Sequence, residues 1–310
     1  MTLESLKQDF LDQKIDKWTY IDEMYRIHSI LFDYAAFMNG TNIGKVEICE
    51  GEVVMTFRDS GVRFVCTHND KRLAPLDALN FGGYEAEELA MQFKLADAAS
   101  HILDVGGNYG WYALHMAKKH QDAQVYSFEP VPHSFQCLKR NIALNGVSNV
   151  KTFDFALSDR AGTFPFYYEP TLSVNASLRN VSGNPKIREI TCSTKTMDQF
   201  CLSHGVRADF IKCDVEGAEL LVFKGAAQVL MQDKPVIFTE MLRKWTAEFD
   251  YHPNDIIDFL TGFGYRCFTL SGGKLRPFAQ VDGETAETNY FFLHMQKHAD
   301  KLAQYSVNAQ

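Results

Sequence analysis

The stretch HILDVGGNYGWYALHMAKKH, residues 101–120, carries the pattern that decides the fold. HILDV reads as a short apolar strand and YGWYALHMAKKH as a helix, with the glycines of DVGGNYG, Asp104 to Gly110, filling the turn between them. A strand that passes through such a turn into a helix opens a doubly wound sheet, which binds ligands beyond the carboxyl ends of its strands. Gly106 and Gly107 would let the backbone approach a ligand, and Gly110 would permit close packing where the helix starts. The helix N-terminus, with Asn108 just before it, would then offer free N–H groups to an anion such as a carboxylate. A tight turn that needs glycine for its own torsions is the plainer reading of the same residues. The spacing departs from GxGxxG because Asn108 stands at the second glycine position. Asp104, a carboxylate at the strand tip, suits an ammonium or sulfonium and would repel a pyrophosphate.

The alternation continues downstream. QVYSF, NVKTFDF, DFIKCDV, PVIFTE, YRCFTL and NYFFLHM read as strands. PHSFQCLKRNIALN, GAELLVFKGAAQVLM and NDIIDFLTGF read as helices. With HILDV this predicts an α/β, doubly wound, Rossmann-like fold with a mostly parallel seven-stranded sheet and an antiparallel last strand. Upstream, residues 3–38 hold apolar side chains at helical spacing, read as one or two amphipathic helices packing on the rest of the chain. Residues 45–67 alternate apolar and polar residues around Glu50-Gly51 and Asp59-Ser60-Gly61, which predicts a small antiparallel meander. A loop with Pro75 and Gly82-Gly83 follows, then a helix over 85–99. The expected organisation is an N-terminal region, 1–80, serving as a cap or an oligomer interface, and a catalytic domain, 81–310. Residues 170–188 are polar and lack either period, so they read as a lid.

Acidic residues mark the strand ends. Glu129, in SFEP, closes the second strand, where a carboxylate takes the ribose hydroxyls of a nucleoside cofactor. In IKCDVEGAELLVFKGA, residues 211–226, Asp214 ends a strand and Glu216 enters the turn. Glu219 falls in the first helical turn, where acids suit the helix dipole. Glu240 closes PVIFTE. His133 is a further titratable candidate, placed at a helix start. Tyr167, Tyr168, Ser173, Asn175, Ser177 and Arg179 supply the hydroxyls, amides and aromatic faces that a hydroxylated acceptor needs, and a surface loop would look the same.

Composition narrows the partners. A net charge of −8 argues against a nucleic-acid backbone as the main partner. The seven cysteines include no CxxC pair and read as reduced thiols. The N-terminus lacks the charged-then-apolar pattern of a secretory signal, and no apolar run reaches the length of a membrane span, so a cytoplasmic protein is expected.

DVGGNYG, FEPVP and above all KCDVEGAE followed by VFKGA resemble the FkbM family of S-adenosylmethionine-dependent methyltransferases, over about residues 80–295 and including YEAE. The resemblance implies O-methylation of a sugar hydroxyl, in a glycan or lipopolysaccharide, or of a secondary metabolite. It also implies S-adenosylmethionine as cofactor, touched by Asp104, Gly106, Asn108 and Glu129. The expected cofactor set is Asp104, Gly106, Gly107, Asn108, Gly110, Glu129 and Asp214. Asp214, Glu216 and Glu240 are the expected catalytic groups, because a neutral alcohol needs a base as it attacks. No metal ligand is assigned, although carboxylates on adjacent strand tips would also suit Mg²⁺. A non-catalytic scaffold and a nicotinamide-dependent oxidoreductase remain as other classes, the latter disfavoured by Asp104 and the glycine spacing.

Overall fold

Three helices, α1 (Leu3–Leu11), α2 (Lys17–His28) and α3 (Ile30–Phe37), lead into a meander of β1 (Ile43–Cys49), β2 (Glu52–Phe57) and β3 (Arg63–Cys66). Helices α4 (Ala74–Phe81) and α5 (Ala86–Leu95) precede the alternating region. That region runs β4 (His101–Val105), α6 (Trp111–Lys119), β5 (Gln124–Phe128), α7 (Pro132–Asn145) and β6 (Val150–Phe153). A side sheet follows, with β7 (Ala156–Leu157), β8 (Gly162–Glu169), β9 (Leu172–Ser177) and β10 (Arg188–Lys195), then α8 (Met197–His204). The chain ends through β11 (Phe210–Cys213), α9 (Glu219–Lys224), α10 (Ala227–Gln232), β12 (Val236–Glu240), α11 (Arg243–Thr246), α12 (Pro253–Thr261), β13 (Tyr265–Ser271), β14 (Lys274–Pro277), β15 (Asn289–His294) and α13 (Ala299–Tyr305). This computed structural model describes residues 2–68, 70–170, 172–180 and 187–307, with the side chains of 172–175 outside the description.

The central sheet has the order β14-β13-β15-β12-β11-β4-β5-β6. From β4 the chain winds outward through β5 and β6, then returns to place β11 and β12 on the other side. The switch point therefore lies between the carboxyl ends of β4 and β11. These strands are apolar on both faces because both are covered. Ile102, Val125, Phe210 and Phe238 join one core, which also holds α5, α6 and the meander. Leu103, Tyr126, Ile211 and Ile237 join the other, with Phe200 and Phe223. Strand β15 runs antiparallel to both β12 and β13. The sheet exceeds the seven strands expected because the chain doubles back at Gly272 and Gly273, both at positive φ, to add β14.

Other expectations are corrected. The helix read across GAELLVFKGAAQVLM is two, α9 and α10, broken at Gly225, where a Cβ would sit 2.0 Å from the Ser158 carbonyl oxygen. The segment with Pro75, read as a loop, forms α4, because proline is favoured in a first helical turn. The stretch read as an aperiodic lid is, over Leu172–Ser177, a strand pairing with β8; Thr171 and residues 181–186 lie outside the described residues. The N-terminal helices do not bury their apolar face on the rest of the chain: Trp18 is 72% and Phe32 69% exposed, and of α1–α3 only Leu6 is buried.

The meander, by contrast, is docked. Phe57 and Phe64 pack on Trp111, with ring centroids 4.8 and 5.9 Å away. Fully buried Asn141 of α7 accepts from the Val65 N–H at 3.0 Å and donates to the Tyr109 carbonyl at 2.9 Å. It therefore clamps the meander to the loop that follows β4. Replacing one partner strands the others in a dry site, so Asn141→Ala is expected to cost about 1–3 kcal/mol in urea denaturation, with an unchanged m-value.

Candidate active site

The turn after β4 is shaped by its neighbours. Gly106 has φ +79°, and a Cβ there would lie 1.9 Å from the Asp214 carbonyl oxygen. At Gly107 a Cβ would lie 2.1 Å from Ser127 Oγ. Both amides donate to the Phe128 carbonyl, at 3.1 and 2.9 Å. A Cβ on Gly110 would lie 2.7 Å from Leu138 Cδ1, the close packing expected there. The glycines are thus required by β5, β11 and α7 before any ligand arrives.

Above this turn lies a cavity of about 370 Å³. Glu129, only 5% exposed, borders it at the end of β5. One carboxylate oxygen accepts from the Val131 N–H and the other from the Asn108 N–H, each at 2.8 Å. Each oxygen of an ionised carboxylate has two acceptor sites, so one on each remains for a pair of hydroxyls. Burial pushes the Glu129 pKa up to about 7, against the pull of the two N–H groups. Beside it the wall is apolar, built from Phe128, Ala156, Leu157, Phe166, Ala176 and Leu178. Most of that wall comes from the side sheet, which the sequence reading passed over.

The opposite end of the cavity is acidic. Carboxylate oxygens of Asp214, Glu216 and Glu240 lie within 4.8 Å of one another. Glu216 sits at φ +54°, and the following Gly217 leaves room for the Trp245 carbonyl oxygen, which a Cβ would approach to 2.7 Å. Burial raises the pKa of Glu216, and Asp214 and Glu240 add to it. Glu240 is raised by burial and then by Asp214. Glu85 of the YEAE stretch also lines the cavity, accepts from the Tyr112 hydroxyl, and is pushed up to about 7 by burial.

Lys212 ties the two ends together and is absent from the sequence-derived set. It is 4% exposed and donates to the Gly106 carbonyl at 2.7 Å. Its ammonium lies 3.5 Å from Asp104 and 3.7 Å from Asp214. Burial opposes its charge, but Asp214 and Asp104 outweigh this and hold its pKa above the ordinary lysine value. Its signal in the sequence is a lysine inside the apolar strand FIKC, since a buried lysine demands a partner.

The remaining candidates fall into place around this frame. Asp104 does not line the cavity; it is 1% exposed, accepts from Ser127 Oγ at 2.8 Å and faces Lys212. Glu219 is buried and accepts from the Val215 and Gly217 amides, holding the turn rather than facing a ligand. Ser177 donates to the Glu216 carbonyl at 2.8 Å and so positions that turn. Tyr168 packs in a small cluster with Phe166 and Cys192, and Arg179 pairs with Asp250. His133 starts α7 beside Cys137, away from the cavity. The side chains of Ser173 and Asn175 lie outside the description. At the end of β9 it is the residues on either side of Ser177, Ala176 and Leu178, that line the cavity.

The cleft lies at the switch point of a doubly wound sheet, with the buried Glu129 carboxylate at one end and a cluster of three carboxylates at the other. The model of the Methyltransferase FkbM domain matches residues 104–267, more than half of the chain, and the chain belongs to that family. It is 33% identical over 153 residues to the methyltransferase sdnD of Sordaria araneosa, covering 40% of this chain and 59% of that protein. It is 28% identical over 154 residues to the hexuronic acid methyltransferase AglP of Haloferax volcanii, covering 49% of this chain and 61% of that protein. The chain thus spans about 60% of the length of these relatives. The crystal structure of the methyltransferase FkbM from Methylobacillus flagellatus KT aligns at 15% identity with a TM-score of 0.41, over 62% of this chain and 43% of that one.

Two outcomes follow from the charges. Lys212→Met leaves Asp104 buried without its cation, so stability should fall by about 3–5 kcal/mol in chemical denaturation. Glu129 should bind a diol best when ionised. The affinity for S-adenosylhomocysteine, measured by calorimetry, should therefore tighten as pH rises from 6 to 8. In Glu129→Ala it should be about a hundredfold weaker and its pH dependence should shrink, since two hydrogen bonds to a charged group disappear.

Proposed function

We propose that this protein is an S-adenosylmethionine-dependent O-methyltransferase whose acceptor is a hydroxyl of a sugar or of a hydroxylated secondary metabolite. The observation that carries this reading is Glu129, with one acceptor site left on each oxygen, at one end of a cavity that reaches Asp214, Glu216 and Glu240 at the other. The site fits the cofactor by its own chemistry: an acid for the ribose hydroxyls, an apolar wall for the base, and an acidic far end for a sulfonium and an ammonium. Gly106, Gly107, Asn108, Glu129 and Asp214 would hold it, with Asp104 and Gly110 supporting the loop from beneath.

The cofactor supplies an electrophilic methyl group on a cationic sulfur. What the chain adds is position and a base. Asp214, paired with Lys212, presents a fixed carboxylate at the reacting end, and Glu240 closes the pocket in which the acceptor lies. The proton leaves the acceptor hydroxyl for this carboxylate cluster, in which burial and the neighbouring Asp214 charge raise the proton affinity of Glu216 and Glu240. Arg72, Lys244 and Trp245 also line the cavity, giving cationic groups and an aromatic face for an oxygen-rich acceptor. A hexuronic acid, the substrate class in the name of the Haloferax relative, has that chemistry.

The three-carboxylate cluster favours a second reading, in which Asp214, Glu216 and Glu240 hold Mg²⁺, a hard ion that would acidify the acceptor hydroxyl. Such an intact acid set also argues against a scaffold that has lost catalysis. In methyl-transfer assays Asp214→Asn is expected to lower kcat by 10²–10⁴-fold with S-adenosylhomocysteine affinity within a few fold of wild type. Full turnover in that variant removes Asp214 from the chemistry. Turnover abolished by EDTA and restored by Mg²⁺ selects the metal-assisted form.

A further inference from the structure

Five acids line the active-site cavity, and one of them has no task in the reading above. Glu129 stands at one end, and Asp214, Glu216 and Glu240 cluster at the other. The fifth, Glu85, comes from the segment ahead of β4, outside the residues 104–267 that match the family model. It is the N-cap residue of α5, where an acid ordinarily accepts from the first amides of its own helix. Here it makes no such bond, and its backbone is left-handed at φ +44°, a conformation that disfavours residues with a side chain. The carboxylate is instead turned from α5 towards α6 and the cavity.

One Glu85 oxygen accepts from the Tyr112 hydroxyl. The other accepts from none of the described residues and is left accessible at the cavity wall. Among the described residues no cationic side chain pairs with Glu85. Lys212 favours its charge only from a distance, being committed to Asp104 and Asp214, while Asp214 and Glu88 oppose it. A largely buried carboxylate with one hydroxyl donor and no cation either holds a proton or awaits a cationic ligand. Its place is set by Tyr112, the second residue of α6, the helix that leaves the glycine turn at Gly110. Glu85 therefore stands beside the first turn of α6, whose amides and dipole favour an anion.

We propose that Glu85 binds the α-ammonium of the cofactor's amino-acid tail, with Tyr112 as its positioning residue. The inference rests on the methyl-transfer reading of the cavity. The tail of S-adenosylmethionine ends in a carboxylate and an ammonium on one carbon. The carboxylate suits the N-terminal turn of α6, and the ammonium on the same carbon then falls to an acid beside that turn. Glu85 is that acid, drawn from outside the trio at the strand tips, so Asp214, Glu216 and Glu240 stay available to the sulfonium and the acceptor hydroxyl. The Tyr112 hydroxyl holds one oxygen, and the ammonium, with three donors, takes the other as a charge-assisted hydrogen bond.

The test is a calorimetric titration of the full chain with S-adenosylhomocysteine and with its desamino analogue, in which hydrogen replaces the α-amino group. Neither carries a sulfonium, so the two ligands differ in the ammonium alone. The wild type should bind S-adenosylhomocysteine about thirtyfold more tightly than the analogue, as a hydrogen bond between charged groups implies. Glu85→Gln keeps the shape and removes the charge, and should bring the two affinities to within about threefold of each other. Tyr112→Phe, which frees Glu85 without removing it, should narrow the difference by a smaller factor and keeps the test open should Glu85→Gln not fold. Equal affinities in the wild type, or a difference that survives in either folded variant, overturns the assignment. So does a Glu85→Gln enzyme that loses turnover with the difference intact, which would make Glu85 a base. Binding of S-adenosylhomocysteine without preference for the ammonium removes only the role of Glu85, whereas failure to bind folded wild-type protein removes the methyl-transfer reading itself.

Discussion

The contact on which this site depends is a single buried ammonium. Lys212 reaches across from β11 to the Gly106 carbonyl on the adjoining strand end, with Asp104 and Asp214 on either side. At a switch point the two neighbouring strands diverge into connections that leave on different sides of the sheet, and nothing in the strand pairing holds their ends in register past Val105 and Cys213. The Asp214 amide, which donates to the Val105 carbonyl at 3.1 Å, extends the pairing by one step. Lys212 extends it further, by charge. A cation among carbonyls and carboxylates in a dry setting tolerates little displacement, so the glycine turn and Asp214 are fixed relative to each other before a ligand enters.

That anchoring gives the carboxylates different roles. Of six acids near the switch point, Asp104, Glu129 and Glu219 are buried and Asp214, Glu216 and Glu240 half-buried, and only some face the cavity. Asp104 and Glu219 are consumed by the protein, the first by Lys212 and Ser127, the second by amides of its own turn. Glu129 is half consumed, one site of each oxygen being left open. Asp214, Glu216 and Glu240 are pressed together, and after burial the Asp214 charge is what most raises the pKa of Glu216 and Glu240. A pocket with this gradient of committed and uncommitted charge sorts its ligand by orientation as well as by identity.

The doubly wound core and the cofactor end were legible in the sequence because both rest on local signals. Apolar runs mark strands covered on both faces, and a glycine turn or an acid at a strand end is read within a few residues. The side sheet was less legible. Strand β10 buries little besides Cys192 and Thr194, and β8 carries Pro165, so neither shows the strong period of a central strand. Its consequence was a one-residue error of face on β9: the polar Ser177 was chosen for its hydroxyl, while Ala176 and Leu178 line the cavity. The N-terminal helices failed for another reason. Amphipathic spacing shows that a helix has an apolar face but not where that face rests, and Trp18 and Phe32 are left in solvent. Lys212 is the least legible of all, because its ammonium faces the protein and not a ligand.

The packing around Gly106 and Gly107 has a consequence for how such chains diverge. Because a side chain at either position would strike Asp214 or Ser127, these glycines are held by the architecture even if chemistry is no longer selected. A descendant that drifted into a purely structural role would keep DVGGNYG nearly intact while its strand-tip acids, freed from use and destabilising one another, were replaced by neutral residues. Within a lineage the glycine turn is therefore a record of the architecture, and by itself no record of activity.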